Sequence, residues 1–363
     1  MNSASEFQRL LAGVREIEAA GFAQRAALAT IVRTHGSTFR RAGASMLVRE
    51  DKRVVCSLAG GCPENDIIAR ARKVIDADAP ELALYNDKSA GDVLLEAGCG
   101  GELDVLIEPL AQAMDLRFLD ILAQMHTHRR AGFIATVYAL QNAPLRPRPQ
   151  RLIWNGVLAW SDIGDAALAD AIRAIGAAAP TQRAWVQRIE TAQGSCDVLF
   201  ESVRPVHALV IVGSNPAALA MARGACALGW KTLLVDSRDP PPTLPAETYF
   251  IKATPAAVLD KVPLDAYTSA LVMTFNIERD CEWLRALAPA SLAYFGAIGS
   301  RERATRMHAS VAHKGARLHA PAGLDIGSET PEEIAVAVIA EIIAVLNSRD
   351  GGSLGRSTRP IHP

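Results

Sequence analysis

The stretch that decides the fold class runs from His207 to Asp236 and reads HALVIVGSNPAALAMARGACALGWKTLLVD. Its first part, His207 to Val212, is a continuous apolar run typical of a strand buried on both faces. Pro216 to Leu228 has the pattern of a helix, and Lys231 to Val235 is a second buried strand. This order predicts a βαβ unit and therefore a parallel sheet covered by helices.

The first turn of this unit carries two features of nucleotide-binding sheets. Gly213 follows the first strand, and Asp236 lies 23 residues later, near the spacing at which an acidic residue meets a ribose. The other fingerprint glycines are missing, because Ser214, Asn215 and Pro216 follow Gly213. We predict a Rossmann-like domain with Gly213 and Asp236 as candidate cofactor-binding residues, and the sequence leaves nucleotide binding open.

A second candidate site follows a later strand of the same half. Leu292–Ile298 is apolar and runs directly into Gly299, Ser300 and Arg301. A glycine, a hydroxyl and an arginine at the carboxyl end of a parallel strand favour binding of an anion. We therefore add these three residues to the candidate cofactor-binding set.

The last helix of the chain is well marked. Thr330 and Glu333 form a capping box, and Pro331 occupies the first helical position. We expect the Rossmann-like domain to cover residues 205–348. Residues 349–363 are rich in Gly, Ser, Arg and Pro, which predicts a disordered tail.

The first half of the chain, residues 1–204, is expected to be a separate α+β domain, because 363 residues exceed one typical core. Its most informative stretch is SLAGGCPE, Ser57 to Glu64, where a strand ends and a helix begins. Pro63 suits the first helical position, which puts Cys62 at or beside the N-cap. The helix dipole there stabilises a thiolate, whereas Glu64 repels one, and the sequence does not show which influence wins.

The two glycines of this turn favour a ligand-binding role. Gly60 and Gly61 let the backbone approach a ligand closely. A second turn of similar composition contains Cys99, Gly100 and Gly101, so the two turns are candidates for facing edges of one pocket. The alternative is an ordinary strand-to-helix turn with a small, half-buried cysteine.

A basic loop precedes the first glycine–cysteine turn. It contains Gly36 and Ser37, followed by the adjacent Arg40 and Arg41. A basic loop beside a helix N-terminus favours an anion such as a phosphate. The alternative is that both arginines are solvated loop charges.

A predicted hairpin relates this loop to the first glycine–cysteine turn. Its strands are expected at Met46–Arg49 and Arg53–Leu58, joined by a polar turn. Because the loop and the cysteine turn each lie one strand-length from that polar turn, both should reach the same end of a sheet. We therefore expect the arginines and the two cysteine turns to share one pocket.

Composition excludes several classes of protein. Lys and Arg number 38 against 39 Asp and Glu, so the balanced charge argues against a nucleic-acid binder that relies on net basic charge. No uncharged apolar run reaches the length of a membrane span, and the N-terminus lacks the apolar core of a signal peptide. We therefore expect a soluble cytoplasmic protein.

The cysteine and histidine spacings do not predict a metal site. The six cysteines are scattered without a C-x-x-C pair, which indicates reduced thiols rather than disulfides or a zinc site. His126 and His128 lie close in sequence but lack a carboxylate or cysteine at matching spacing. We therefore predict no metal-binding residues of the protein's own.

Several long motifs in order resemble the XdhC/CoxI family, the maturation factors of xanthine dehydrogenase, carbon monoxide dehydrogenase and related aldehyde oxidases. The resemblance covers most of the chain and is weakest over residues 111–205. The motifs are Thr34-His35-Gly36-Ser37, Gly43, Gly60-Gly61-Cys62-Pro63-Glu64, Gly98-Cys99-Gly100-Gly101, Tyr294-Phe295-Gly296-Ala297-Ile298-Gly299-Ser300-Arg301, the run from Arg317 to Gly327, and the run from Thr330 to Ala335.

The resemblance implies a chaperone of the molybdenum cofactor rather than an enzyme. Such a protein binds molybdopterin or its cytosine dinucleotide form and holds it while a cysteine desulfurase exchanges an oxo ligand for sulfur. It then delivers the cofactor to the large subunit of a molybdoenzyme. The cofactor's phosphate would suit Arg40, Arg41 and Arg301, and its thiophilic molybdenum would suit Cys62 or Cys99 as a soft ligand or sulfur relay.

Two departures from the family pattern concern the second half. Gly213-Ser214-Asn215-Pro216 stands where the family commonly has Gly-x-Gly-His, and Thr274-Phe275-Asn276 stands where it has Thr-His-Asp or Thr-His-Asn. The alternatives are an NAD(P)-dependent oxidoreductase built on the Rossmann-like domain, and a structural assembly factor that never touches the cofactor. We also expect a homodimer.

Overall fold

The structure is a computed structural model that describes residues 2–36, 38–59, 61–85, 101–140, 144–157, 159–179, 183–191, 194–312, 315 and 317–358. The side chains of Cys62 and Ala159 are outside this description. The chain divides into two compact units, which we name unit 1, Met1–Pro205, and unit 2, Val206–Pro363.

Unit 1 contains one order of elements twice: a helix, three strands, a helix and two strands. The first set is α1 (Ala4–Ala19), β1 (Ala26–His35), β2 (Ser45–Arg49), β3 (Val54–Val55), α2 (Gly61–Ala77), β4 (Glu81–Tyr85) and β5 (Glu102–Leu110). The second set is α3 (Ala113–Thr127), β6 (Gly132–Leu140), β7 (Gln150–Trp154), β8 (Ala159–Ser161), α4 (Ala166–Ala178), β9 (Ala184–Thr191) and β10 (Gly194–Val203).

The two sets form sheets of the same topology, so unit 1 is an internal duplication. Sheet 1 has the order β3-β2-β1-β5-β4 and sheet 2 the order β8-β7-β6-β10-β9, with antiparallel neighbours in both. The sequence keeps traces of the repeat. Asp104–Glu108 reads DVLIE and Asp197–Glu201 reads DVLFE, while Ala29-Thr30 recurs as Ala135-Thr136. Strands β1 and β6, and strands β5 and β10, are therefore equivalent.

Alternation along the strands gives sheet 1 two buried faces. Ala27, Ala29 and Ile31 of β1 pack in one cluster with Ile67 and Ala71 of α2. The opposite face of the same strand meets sheet 2. There, Val32 and Leu106 cluster with their repeat equivalents Tyr138 and Leu199, so the two halves of the duplication share an apolar interface.

Unit 2 is the Rossmann-like domain that the βαβ pattern predicts, and this fold class is confirmed. Its parallel sheet has the order β13-β12-β11-β14-β15. The strands are β11 (Ala208–Val212), β12 (Lys231–Asp236), β13 (Thr248–Lys252), β14 (Thr268–Val272) and β15 (Tyr294–Ala297). The helices are α5 (Pro216–Ala227), α6 (Val258–Lys261), α7 (Ile277–Leu287), α8 (Arg301–Val311) and α9 (Pro331–Leu346).

Two apolar clusters cover the two faces of the parallel sheet. On one face, Met221 of α5 and Val338 of α9 pack against Leu209. On the other face, Trp283 of α7 and Met307 of α8 pack in the cluster that contains Val210. Beyond α9 the described chain is exposed, with a short 3₁₀ turn at Leu354–Arg356.

One predicted strand is too long. The hairpin forms, but its second strand covers only Val54–Val55 instead of Arg53–Leu58. The physical reason is the backbone of Cys56, whose φ of 69° lies in the left-handed region and cannot continue a strand. The chain therefore leaves the sheet five residues before α2 begins.

The capping box of α9 provides a test of the local sequence signal. The Thr330 side chain accepts a hydrogen bond from the Glu333 amide, and the Glu333 carboxylate accepts from the Thr330 amide. We expect Thr330→Ala to lower the free energy of unfolding by about 1 kcal/mol, as measured by urea denaturation. Thr254→Ala is the matched control, since Thr254 precedes a 3₁₀ turn without capping it. Equal losses in both variants would contradict the capping role.

Candidate functional site

One end of sheet 1 collects the segments that the sequence marks as functional. His35 at the end of β1 pairs with Glu102 at the start of β5, and Tyr85 at the end of β4 pairs with Leu103. Strand β2 begins at this end, and β3, which is antiparallel to β2, runs back toward it. We name this region, with the loop 36–44 and the turn 56–61, the glycine end of sheet 1.

The turn before α2 is held by a carboxylate. Oε2 of Glu64 accepts hydrogen bonds from Ser57 Oγ at 2.5 Å, the Leu58 amide at 2.9 Å and the Ala59 amide at 3.1 Å. The sequence presents Glu64 as a group that either repels a thiolate or contacts a cofactor. In the structure, one of its oxygens fixes the backbone of the turn from the first turn of the helix.

Helix α2 starts without a side-chain cap from the residue before it, because that residue is Gly60. Its equivalent in the repeat, α4, is capped by Asp165, whose carboxylate accepts from the Ala167 and Leu168 amides. Gly61 is exposed with φ of 63°, and a Cβ added there would meet no atom of the described residues within 4 Å. The backbone beside Cys62 is therefore open to an incoming group.

The two predicted arginines play different parts. Arg40 forms a bidentate pair with Glu6 of α1, with distances of 2.6 and 2.9 Å to the two carboxylate oxygens. Arg41 is exposed, and no hydrogen bond or ion pair joins its guanidinium to any residue that the structure describes. Arg40 is therefore paired with a carboxylate of the protein rather than being a solvated loop charge. Arg41 is the one that remains available to an anion.

The sequence reasoning missed an aromatic residue in the same loop. Phe39 is 63% exposed and directly precedes the two arginines. A large exposed aromatic side chain beside a glycine-rich loop offers a face on which a planar ring can stack. Its sequence signal is modest, a single phenylalanine among polar and small residues.

The remaining candidates in this half are placed as follows. Gly36 is exposed with φ of 71°, and Gly101 is buried next to the start of β5. The structure does not describe Ser37, Gly60, Cys99 and Gly100, nor the side chain of Cys62. Cys56, which the sequence did not single out, is half-buried with its sulfur 3.6 Å from the Glu6 carbonyl oxygen. Burial raises the pKa of the Cys56 thiol, so this cysteine stays protonated.

In unit 2, Asp236 is committed to protein groups. Its buried carboxylate accepts from Ser214 Oγ at 2.9 Å, from Arg238 Nη2 at 2.9 Å and from Arg279 Nη2 at 3.1 Å. Burial alone would raise the pKa of Asp236, but the hydrogen bonds from Arg238 and Ser214 outweigh it and lower that pKa. The oxygens expected to meet a ribose are therefore already bonded.

Gly213, at the end of β11, packs against the backbone of the neighbouring strand segment, since an added Cβ would lie 2.8 Å from the Met273 carbonyl oxygen.

The other candidate group of unit 2, Gly299, Ser300 and Arg301 after β15, is partly structural. Ser300 caps α8 by accepting from the Arg303 amide, and Gly299 lies just before it. Arg301 is exposed at the first position of that helix. Gly213, Asp236 and these residues thus gather at the carboxyl end of the unit 2 sheet.

A residue that the sequence did not reveal, Glu341, connects two motifs of unit 2: the one that begins at Tyr294 and the run from Arg317 to Gly327. Glu341 of α9 accepts from Tyr294 Oη at 2.6 Å and from the Gly323 amide at 2.8 Å. It also contacts His319 Nδ1 at 3.1 Å, and the His319 ring packs against Tyr294. Burial and the neighbouring carboxylate raise the pKa of Tyr294. One half-buried carboxylate therefore joins the strand, the last helix and the segment between them.

Two further kinds of feature, metal sites and membrane-spanning helices, were searched for among the described residues. Within those ranges, no three His, Cys, Asp or Glu side chains are arranged to hold a metal ion. None of the helices there has the length and apolarity that a membrane crossing requires.

Two models of known protein families match this chain. The family model described as the XdhC and CoxI family matches residues 22–86, which include β1 to β4 and the turn held by Glu64. The model of the XdhC Rossmann domain matches residues 209–342. The chain belongs to the XdhC/CoxI family. The two matched regions together span more than half of the chain and contain the quoted motifs except Gly98-Cys99-Gly100-Gly101.

Relatives of this XdhC/CoxI protein extend over nearly its whole length. A Bacillus subtilis protein described as a probable xanthine dehydrogenase subunit is 28% identical over 88% of this chain and 93% of its own. The Escherichia coli "Molybdenum cofactor insertion chaperone PaoD" is 23% identical over 91% of this chain and 86% of its own. A crystal structure from Bacillus halodurans, described as a xanthine dehydrogenase, is 25% identical with a TM-score of 0.75, covering 95% of this chain and 98% of that one.

The pair of Glu6 and Arg40 yields a pH-dependent prediction. Burial alone would raise the pKa of Glu6, but hydrogen bonds from Arg40 and Ser3 lower it from 4.5 to about 2. Because the folded pKa lies below the unfolded one, the pair stabilises the protein fully above pH 4.5 and loses that effect as pH falls toward 2. We expect Glu6→Gln to cost about 1 kcal/mol at about pH 7 after solvent screening.

Urea denaturation near neutral pH and at about pH 3, within the range where the pair titrates, measures this effect. The difference in unfolding free energy between wild type and Glu6→Gln should shrink at the lower pH. Glu18→Gln is the matched control on the same helix, since Glu18 forms only an exposed pair with Arg15. A difference that is the same at both pH values would show that the pair does not titrate as described.

The Glu64 contacts predict a local effect at the glycine end. Glu64→Gln replaces a charged acceptor of three hydrogen bonds by a neutral one, so we expect a loss of about 1–2 kcal/mol. Amide hydrogen exchange at Leu58 and Ala59 should become faster. Glu302→Gln is the control, because Glu302 also lies in a first helical turn but is exposed there. Unchanged exchange at Leu58 and Ala59 would show that the hydrogen bonds to Glu64 do not hold the turn.

Proposed function

We propose that this protein is a carrier that holds the molybdenum cofactor and inserts it into a molybdoenzyme of the xanthine dehydrogenase, aldehyde oxidase or carbon monoxide dehydrogenase class. Family membership supports this proposal, as does the similarity to a cofactor insertion chaperone over most of both chains. The relative named as a xanthine dehydrogenase subunit supports the class of client. In this role the protein binds and releases its cargo without turning over a substrate.

The observation that carries the proposal is the convergence at the glycine end of sheet 1. The start of α2, the exposed Arg41 and the exposed Phe39 all belong to segments that meet there. A pterin cofactor carries a phosphate and a planar ring, which an arginine and an aromatic face can hold. Its molybdenum is thiophilic, and Cys62 is the second residue of α2.

Each group of this region has a defined task in the proposal. Arg41 and the first amides of α2 bind the phosphate, while Cys62 offers a soft ligand or a sulfur relay to the metal. Glu64 keeps the turn rigid through Oε2. A cysteine desulfurase is the partner that supplies sulfur, and the large subunit of the client receives the finished cofactor.

Unit 2 gives the oxidoreductase alternative no specific support. The carboxylate of Asp236, which would contact a ribose, is bonded to Arg238, Arg279 and Ser214. Retention of NADPH together with turnover of a substrate would be needed to favour that alternative. The cargo-carrying role needs neither.

A cysteine substitution tests the proposal directly. Wild type and Cys62→Ser are purified from molybdate-replete cells, and bound molybdenum and pterin are quantified by metal analysis and mass spectrometry. We expect Cys62→Ser to reduce bound molybdenum at least about tenfold, the effect that loss of even an outer-shell partner produces. Cys56→Ser is the matched control from the same turn, and it should retain the cargo.

The outcomes separate the parts of the proposal. Equal molybdenum in wild type and Cys62→Ser would exclude the thiol as a ligand or relay. Wild-type protein that carries neither molybdenum nor pterin, and does not activate an apo-molybdoenzyme when mixed with free cofactor, would refute the carrier role itself.

A further inference from the structure

A cavity of about 100 Å³ lies inside unit 1, between the two sheets. Leucine and phenylalanine side chains form its apolar walls. Its polar lining consists of Asn2, Thr30, Ser45, Glu108, His126, Thr136, Arg151 and Glu201. We name this space the intersheet cavity. Its volume is several times what one water molecule needs, and charged groups are rarely placed in the centre of a domain without a partner.

The duplication explains which polar groups meet there. Glu108 and Glu201 are equivalent positions of the repeated DVLIE and DVLFE motifs, and Thr30 and Thr136 are equivalent as well. Both copies therefore send one carboxyl and one hydroxyl into the cavity. The next pair breaks this symmetry, because Thr30 is paired across the strands with Ser45, whereas Thr136 is paired with Arg151.

One carboxylate of the cavity has its cation. Arg151 forms an ion pair with Glu108, and the two residues are 7% and 2% exposed. The guanidinium also lies over the ring of Phe118, 3.9 Å from its centre. A planar guanidinium thus fills the space between a carboxylate and an aromatic face.

The other carboxyl, that of Glu201, differs. At the position equivalent to Arg151 stands Ser45, whose hydroxyl bonds Thr30 at 2.9 Å and whose backbone bonds Asn2. Across the residues that the structure describes, no hydrogen bond or salt bridge reaches the Glu201 carboxyl. Burial raises the pKa of Glu201 and lowers that of His126, whose Nδ1 is also buried and unbonded within the described ranges. The second half of the cavity therefore contains a carboxyl on which the charge of Arg151 acts through space, but which has no hydrogen-bond partner among the described residues.

We propose that the intersheet cavity binds a planar ligand with a guanidine-type edge, the 2-amino-4-oxopyrimidine ring found in pterins and guanine, through the carboxyl of Glu201. The adjacent N–H groups of that ring repeat the donor pattern of the Arg151 head group, which Glu108 already accepts. The apolar walls receive the faces of the ring, and Thr136 and His126 lie within the same lining.

Pterin and guanine share this edge, so the ligand class does not depend on the carrier role. The assignment of pterin as the natural ligand rests on the proposed function. In that case the cavity is a second pterin-binding site, on the face of sheet 1 opposite α2, and its lining includes neither Phe39 nor Arg41 of the glycine end.

Binding of free pterin to the full-length protein tests the inference. Isothermal titration calorimetry compares wild type with Glu201→Gln, in which an amide replaces one acceptor oxygen by a donor. We expect the affinity for pterin to fall at least about tenfold. Lumazine, which has an oxo group in place of the 2-amino group, should bind wild type more weakly than pterin by a similar factor. Glu190→Gln is the matched control, because Glu190 is exposed on β9 of the same sheet, and its affinity should stay unchanged.

Thermal unfolding establishes that each variant is folded. If Glu201→Gln does not fold, Glu201→Leu replaces it, since an apolar side chain removes a buried group that lacks a partner among the described residues. Tighter binding of pterin than guanine would assign the site to the cofactor, and the reverse would assign it to a purine; both support the inference. Absence of pterin and guanine binding to wild type, or equal affinity in Glu201→Gln, would overturn it. Molybdenum retention by wild type would leave the carrier role standing in that event.

Discussion

The structure of unit 1 depends on the register between β1 and β5. Because side chains alternate along a strand, this pairing sends Ala29 and Ile107 toward α2 and sends Thr30 and Glu108 toward the second sheet. A slip of one residue would exchange the two faces. The same register fixes His35 opposite Glu102, so it also determines which segments meet at the glycine end. Core, cavity and candidate site are three results of one strand pairing.

The two functional regions of unit 1 follow different physical rules. At the glycine end, backbone groups are presented by glycines and a helix start, and Glu64 supplies the rigidity that glycines lack. In the intersheet cavity, side chains make the contacts, and Arg151 stabilises the charge of the buried Glu108. The first region suits a group with a phosphate and a metal, and the second suits a flat ring with N–H donors.

The sequence predicts features whose causes are local. The apolar run before Gly213 and the capping box at Thr330 each identify an element from adjacent residues, and both elements form as expected. Contacts between distant residues were not predictable in this way. Arg40 meets Glu6 across 34 positions, and Glu341 meets Tyr294 across 47. The duplication could have been found, because the motif DVLIE at Asp104–Glu108 recurs as DVLFE at Asp197–Glu201, but so short a repeat is a weak signal without the sheet order.

The capped start of α4 shows what a duplicated fold allows. Asp165 secures that helix by itself, so the second copy retains a self-sufficient architecture. The first copy has glycine at the matching place, and Glu64 of its helix holds the preceding turn rather than the first amides of the helix. A duplicated fold can therefore present the same helix start twice, once closed by a carboxylate and once with its first backbone amides left to bind a ligand.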